Sequence, residues 1–233
     1  MRLIAAIWLT VTATAFGTAQ ETPPPVSESA VPGTFRSFIA VDKRFPEDNV
    51  RNRQAKMHCL VCEAGLNPVV AVFTRADPAT VTPESPLGKL IQALGRARVE
   101  ADMIGAAARD PGGFVAKHRA ANAAAFVIFL GLEKPYPEDT RGEAVKGLVR
   151  DQVVESLRAT AETLNAPHVP FGLAASESPD TEVWKLVPGQ DTTVVVFHRM
   201  KVVKRWDFSP DTPLDDQAIT QIIQTAEKAA MGK

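Results

Sequence analysis

The chain has 233 residues, 45% of them hydrophobic and 23% charged, with a formal net charge of −1. That is core-forming material for one generous domain and only marginally for two. With no basic field and no block of like charge, nucleic acid is not an expected partner.

The first twenty residues differ from the rest. Arg2 is the only charge before Glu21, and residues 3–16 are apolar apart from threonines. Gly17-Thr18-Ala19 then places small side chains where a signal peptidase reads them. The pattern predicts a signal peptide over residues 1–19, cleavage before Gln20, and export to the periplasm or beyond the cell. A spanning helix needs about 20 apolar residues, and this run is shorter, so no membrane anchor is expected after cleavage. No cysteine follows the apolar core, which argues against a lipid-anchored form. Residues 20–33 are rich in proline and serine and predict a disordered tether. The folded domain is expected over residues 34–233.

Beyond the tether, strand-like and helix-like segments alternate. Residues 35–41 predict a short strand, and residues 42–56 are polar with five basic side chains. Residues 68–75 (PVVAVFTR) form a continuous run of β-branched and aromatic character, as a strand buried on both faces requires. Ser85 is suited to cap a helix with Pro86 at its first position and Leu87, Leu90, Ile91 and Leu94 on one face. The alanine-rich segment 101–123 is interrupted by Asp110-Pro111-Gly112-Gly113 and receives no assignment. Residues 124–132 (AAFVIFLGL) predict a second buried strand. A helical stripe follows at Val149, Val153, Leu157, Ala161 and Leu164. Residues 169–174 predict a short edge strand. Residues 192–197 and 202–208 predict a hairpin turning near residues 199–201. Asp215 and Asp216 open a last helix whose buried face is Ile219, Ile222, Ile223 and Ala226. Strands separated by helices imply parallel crossovers, and the late hairpin adds an antiparallel edge. The expected fold is α/β: a mixed central sheet with helices on both faces and a C-terminal β-hairpin plus helix.

This order, and some of its wording, resembles the redoxin and peroxiredoxin branch of the thioredoxin-like superfamily. Val169-Pro170-Phe171-Gly172-Leu173, followed by Ser178-Pro179-Asp180-Thr181-Glu182-Val183-Trp184, resembles that branch's short strand, acidic turn and short helix. Thr192-Thr193-Val194-Val195-Val196-Phe197 with Lys201-Val202-Val203 resembles its closing hairpin. The resemblance implies a reactive cysteine after the first long central strand, at the start of the next helix. Here that segment reads ADPATVTPESP and holds none, so peroxidase activity is not expected. The proline that the family places before the closing hairpin is matched by Thr192.

The two cysteines, Cys59 and Cys62, stand instead before the central strand. A straight strand of that length puts them about 25 Å from the family's reactive end. Three readings stay open. The pair is a structural disulfide, although a loop this small gains only about 2 kcal/mol from closure. Or it is a redox dithiol with Cys59 attacking and Cys62 resolving, favoured by Lys56 and His58 nearby. Or His58, Cys59 and Cys62 contribute to a metal site, for which a second ligand cluster is lacking. No P-loop, G-x-G-x-x-G or nucleophile elbow occurs, and no cofactor is expected. The expected partner is a thiol or disulfide of another exported protein; the other class of function is a binding or structural module without catalysis. His198 reads as a solvated turn residue. Asp42 with Arg44, and Glu47 with Asp48, read as a polar surface loop, and Trp184 and Trp206 as packing residues.

Overall fold

A computed structural model describes residues 29–48, 50–96, 112–132 and 143–232. The expected signal peptide and most of the expected tether lie outside the described residues, as do parts of the alanine-rich segment.

Seven strands form one sheet. β1 (Arg36–Val41) and β2 (Met57–Cys59) precede the short helix α1 (Leu60–Ala64). β3 (Val69–Thr74) leads to α2 (Pro86–Gly95) and α3 (Phe114–Lys117). β4 (Ala124–Leu132) leads to α4 (Glu143–Leu164), β5 (Phe171–Ala175) and α5 (Pro179–Val183). The hairpin β6 (Thr192–His198) and β7 (Lys201–Phe208) is followed by α6 (Asp216–Ala230). The strand order is β2-β1-β5-β4-β3-β6-β7. β3, β4 and β5 are parallel, while β1 against β5 and β6 against β3 are antiparallel. Parallel β-α-β units closed by an antiparallel hairpin and a last helix constitute a thioredoxin-like fold.

The residues explain the layers. All six side chains of β3 are buried, and they alternate between two cores. Val70 and Val72 face the core built by α2, α4 and α6, with Leu90, Ile91, Leu157 and Ile222 all at 0% exposure. Val69, Ala71 and Phe73 face the other core, against Leu60, Val61 and Ala64 of α1 and the fully buried Trp184 that closes α5. Phe35, Phe73 and Trp184 form an aromatic cluster there, with centroids 4.9 to 6.2 Å apart. Both faces of the sheet are therefore covered by helices.

Local chemistry sets the element ends. Ser85 Oγ accepts the Gly88 N–H at 3.1 Å and donates to the Thr82 carbonyl at 2.7 Å, as the capping expectation required. Gly88 is required there, because a Cβ would stand 1.8 Å from the Thr82 oxygen. The β6–β7 turn places Arg199 and Met200 at φ 53° and 59°, the left-handed pair that a tight hairpin of this twist demands.

Three expectations are corrected. β5 is an interior strand, between β1 and β4, not an edge. Pro170 stands just ahead of it, and its carbonyl accepts the Val127 N–H at 3.1 Å, so its missing donor interrupts nothing. In α4, which begins at Glu143, ahead of the first stripe residue Val149, Val154 is buried where Val153 only packs against the core. Lastly, the chain joins the domain before residue 34. Ala30 bridges to Lys201, the Val202 N–H donates to the Ser29 carbonyl at 2.8 Å, and Val31 is buried. Those contacts cover part of the open edge of β7.

Candidate functional site: the Cys59–Cys62 disulfide

Cys59 ends an edge strand and Cys62 lies in the first turn of α1. The two sulfurs are bonded, with Cα atoms 5.3 Å apart. Cys59 is the N-cap, and its Sγ accepts the Cys62 backbone N–H at 3.1 Å. Cys62 is exposed, and Cys59 is partly buried against the aromatic-cluster side of the sheet. Gly65 ends the helix with φ 58°, so the N-cap Cys59 and Cys62 share one short helical turn.

Their position is set by sheet order as well as by distance along a strand. Cys59 pairs with Arg36 of β1, two residues beyond Phe38, and Phe38 is in register with Leu173, Phe129 and Thr74 in turn. Leu60, Glu63 and Ala64 of α1, which follow Cys59, share a cavity with Asn122 to Phe126 at the β4 entry, so strand register alone does not set the height of the pair in a twisted sheet. The separation of the pair from β3 runs across the sheet: β1, β5 and β4 intervene, and four strand spacings amount to about 19 Å. The loop after β3 is consequently a different place. There Thr74 Oγ1 and Thr192 Oγ1 are 3.0 Å apart, the Ser85 hydroxyl serves the α2 cap, and no cysteine is present.

The side chains around α1 form an ion cluster that the sequence did not reveal. Glu63, the residue after Cys62, stands 3.1 Å from Arg44 Nη1, 3.3 Å from Arg53 Nε and 2.7 Å from His58 Nε2. The His58 contact is close without hydrogen-bond alignment. Arg44 also grips Asp42 with two parallel bonds of 2.9 and 2.8 Å. Burial favours the neutral form of Arg44, but bonding to Asp42, its charge and that of Glu63 outweigh burial and raise the pKa. Asp42, 2% exposed, is an internal anchor, which corrects its reading as part of a polar surface loop. Glu47 and Asp48 do lie in such a loop: Asp48 Oδ1 accepts the N–H groups of Val50 and Arg51 and holds its turn. Lys56 reaches the Asn52 carbonyl at 3.0 Å.

His58 Nε2 faces Glu63 without an aligned hydrogen bond, and the two sulfurs are bonded to each other. Among the described residues no group of three or more His, Cys, Asp or Glu side chains is placed to hold a metal. The remaining histidines are scattered: His118 stacks on Phe114 at 5.3 Å, and His198 ends β6. Trp184 and Trp206 pack as expected, with Lys204 lying over the Trp206 ring at 4.9 Å.

His168 and His198 both titrate below the ordinary value of 6.5, through burial first and then the charges of Arg119 and Arg199 respectively. An unfolded chain binds protons at these sites before the folded one does as the pH falls. Folded stability is therefore full above about pH 6.5 and declines as the pH falls through the two depressed values. Urea melts between pH 7.5 and 5 should show the decline, and His168→Gln should make it shallower.

No family model matches the chain, and no curated protein matches it. Solved structures do match. An uncharacterized conserved protein from Geobacillus kaustophilus aligns at 14% identity over 88% of this chain and 82% of that one, with a TM-score of 0.48. AhpC of Mycobacterium bovis aligns at 8% identity over 90% and 96%, also at 0.48. AhpC of Mycobacterium tuberculosis aligns at 8% over 88% and 93%, at 0.47. Strand order and register by themselves define a thioredoxin-like fold, and it carries a CxxC disulfide outside the β3–α2 junction. No described helix is long and apolar enough to cross a membrane.

Proposed function

We propose that this is an exported redoxin-branch protein whose Cys59–Cys62 pair exchanges thiols and disulfides with another exported protein. Cys59 attacks and Cys62 resolves. The observation that carries the reading is the Cys62 N–H donated to Cys59 Sγ beside an exposed partner sulfur. A backbone donor stabilises a thiolate more than a thiol, which favours ionised Cys59. The electron balance is that of a dithiol. Cys59 thiolate displaces one sulfur of a partner disulfide and forms a mixed disulfide. Cys62 thiolate then attacks Cys59, restores the internal bond and releases the second partner thiolate. Two electrons pass from the pair to the partner.

A second reading keeps the disulfide structural, and the ion cluster favours it. Arg44 joins the segment after β1 to α1 through Asp42 and Glu63, so the bond and the ion pairs tie the same turn. Graded reduction of the purified protein, with thiols counted at each potential, separates the two. Exchange requires two thiols to appear reversibly, a thiol pKa below about 8.5, and catalysed reduction of a test disulfide. A bond that resists reduction until the protein unfolds, with no catalysis afterwards, would leave the structural reading.

A further inference from the structure

On the α1 side of the β4 entry lies a cavity of about 520 Å³, within the size range of small-molecule sites. Leu60 and Ala64 of α1, Val115 and Ala116 of α3, and Phe126 of β4 supply apolar walls. Its charges are unequal in availability. Arg44 and Glu63 border the cavity but are bonded to one another, and Arg44 to Asp42 as well. Arg119 also lines it, and no side-chain hydrogen bond or ion pair to it is found among the described residues. His168 lines the same cavity and lies close enough to Arg119 for the two charges to interact.

We propose that this cavity binds a small organic carboxylate with an apolar tail, the carboxylate meeting Arg119 and the tail lying between α1, α3 and β4. A guanidinium that has no ion-pair partner among the described residues, at the border of an apolar chamber, selects a ligand with charge at one end only. An anion without the tail leaves the chamber wet, and a tail without the anion forgoes the charge-assisted bond. His168, whose neutral form is favoured by burial and by Arg119, supplies a further hydrogen-bonding group without competing for the negative charge. The site does not depend on thiol chemistry and is tested without it.

Decanoate and decanol, which share a tail and differ in the head, are titrated calorimetrically into the purified oxidised protein. Decanoate should bind one per chain, about tenfold more tightly than decanol, the ratio expected of one charged hydrogen bond. Arg119→Gln, at an exposed position, should remove that ratio and leave decanol unchanged. Ala116→Phe should weaken both ligands by filling the chamber. Absence of decanoate binding, equal affinity for the two probes, or a ratio that survives Arg119→Gln would overturn the proposal. If Ala116→Phe fails to fold, the Arg119 comparison decides by itself.

Discussion

Replacing Cys59 by serine is expected to reduce disulfide-exchange turnover to the uncatalysed background, whereas Cys62→Ser should complete one attack and stop at a mixed disulfide. The asymmetry follows from the hydrogen bond between the two residues. A backbone donor favours the Cys59 thiolate and so raises its ionised fraction at neutral pH. Intrinsic nucleophilicity falls as thiolate stability rises, so attack itself gains less than the ionised fraction does. The donor acts more strongly on departure, since a stabilised Cys59 thiolate leaves readily when the internal bond is opened. Incubating each variant with a labelled test disulfide and separating the products without reductant shows which one holds the mixed species. Trapping on Cys59→Ser rather than Cys62→Ser would reverse the roles, which the greater exposure of Cys62 makes a real test. Equal loss of about 2 kcal/mol of stability from both variants, with neither trapping anything, would assign the bond to structure.

How much of this was readable from sequence depends on how local each signal is. β3, β4 and β6 are runs with buried side chains on both faces, and such runs admit little but strand. α2 and α6 announce themselves by cap and stripe, Ser85 with Leu87 to Leu94 and Asp215 with Ile219 to Ala226. β2 has three residues, none fully buried, and exists because β1 offers it an edge; nothing in Met57-His58-Cys59 says so. β5 was misplaced because its neighbours come from residues 36–41 and 124–132, and a proline before a strand is equally consistent with an edge. The sideways separation of the disulfide from β3 is hidden for the same reason. Distance along one strand is readable from the chain, whereas sheet order, which sets the pair four strand spacings from β3, is not. Glu63 was overlooked because Arg44, Arg53 and His58 converge on it from three places in a stretch that reads as polar loop. The hidden member, Asp42, directly follows β1, where a register shift at Ile39–Val41 breaks the alternation and residues 39–42 are all buried.

Asp42→Ala should destabilise the fold by about 3 kcal/mol, the lower end of what breaking a buried ion pair costs. The carboxylate has 0% side-chain exposure and makes two bonds to a guanidinium that is itself 18% exposed. It also accepts the Arg44 backbone N–H at 3.1 Å. Removing it strands a positive charge and orphans a backbone donor together. Glu63 still faces Arg44, which keeps the loss from the upper end of the range. The pair's net contribution is a separate quantity from the cost of breaking it. Asp42→Leu combined with Arg44→Met exchanges two desolvated charges for apolar contact and should recover most of the stability. Denaturant melts of the single and double variants measure both. The double variant, however, removes one of the two guanidinium groups around Glu63, leaving that carboxylate less neutralised next to Cys62. A negative charge beside a thiol raises its pKa, so exchange should slow in a protein whose stability has been restored. Restored stability with unchanged exchange would mean that Arg44 only holds α1 in place and has no influence on the sulfurs.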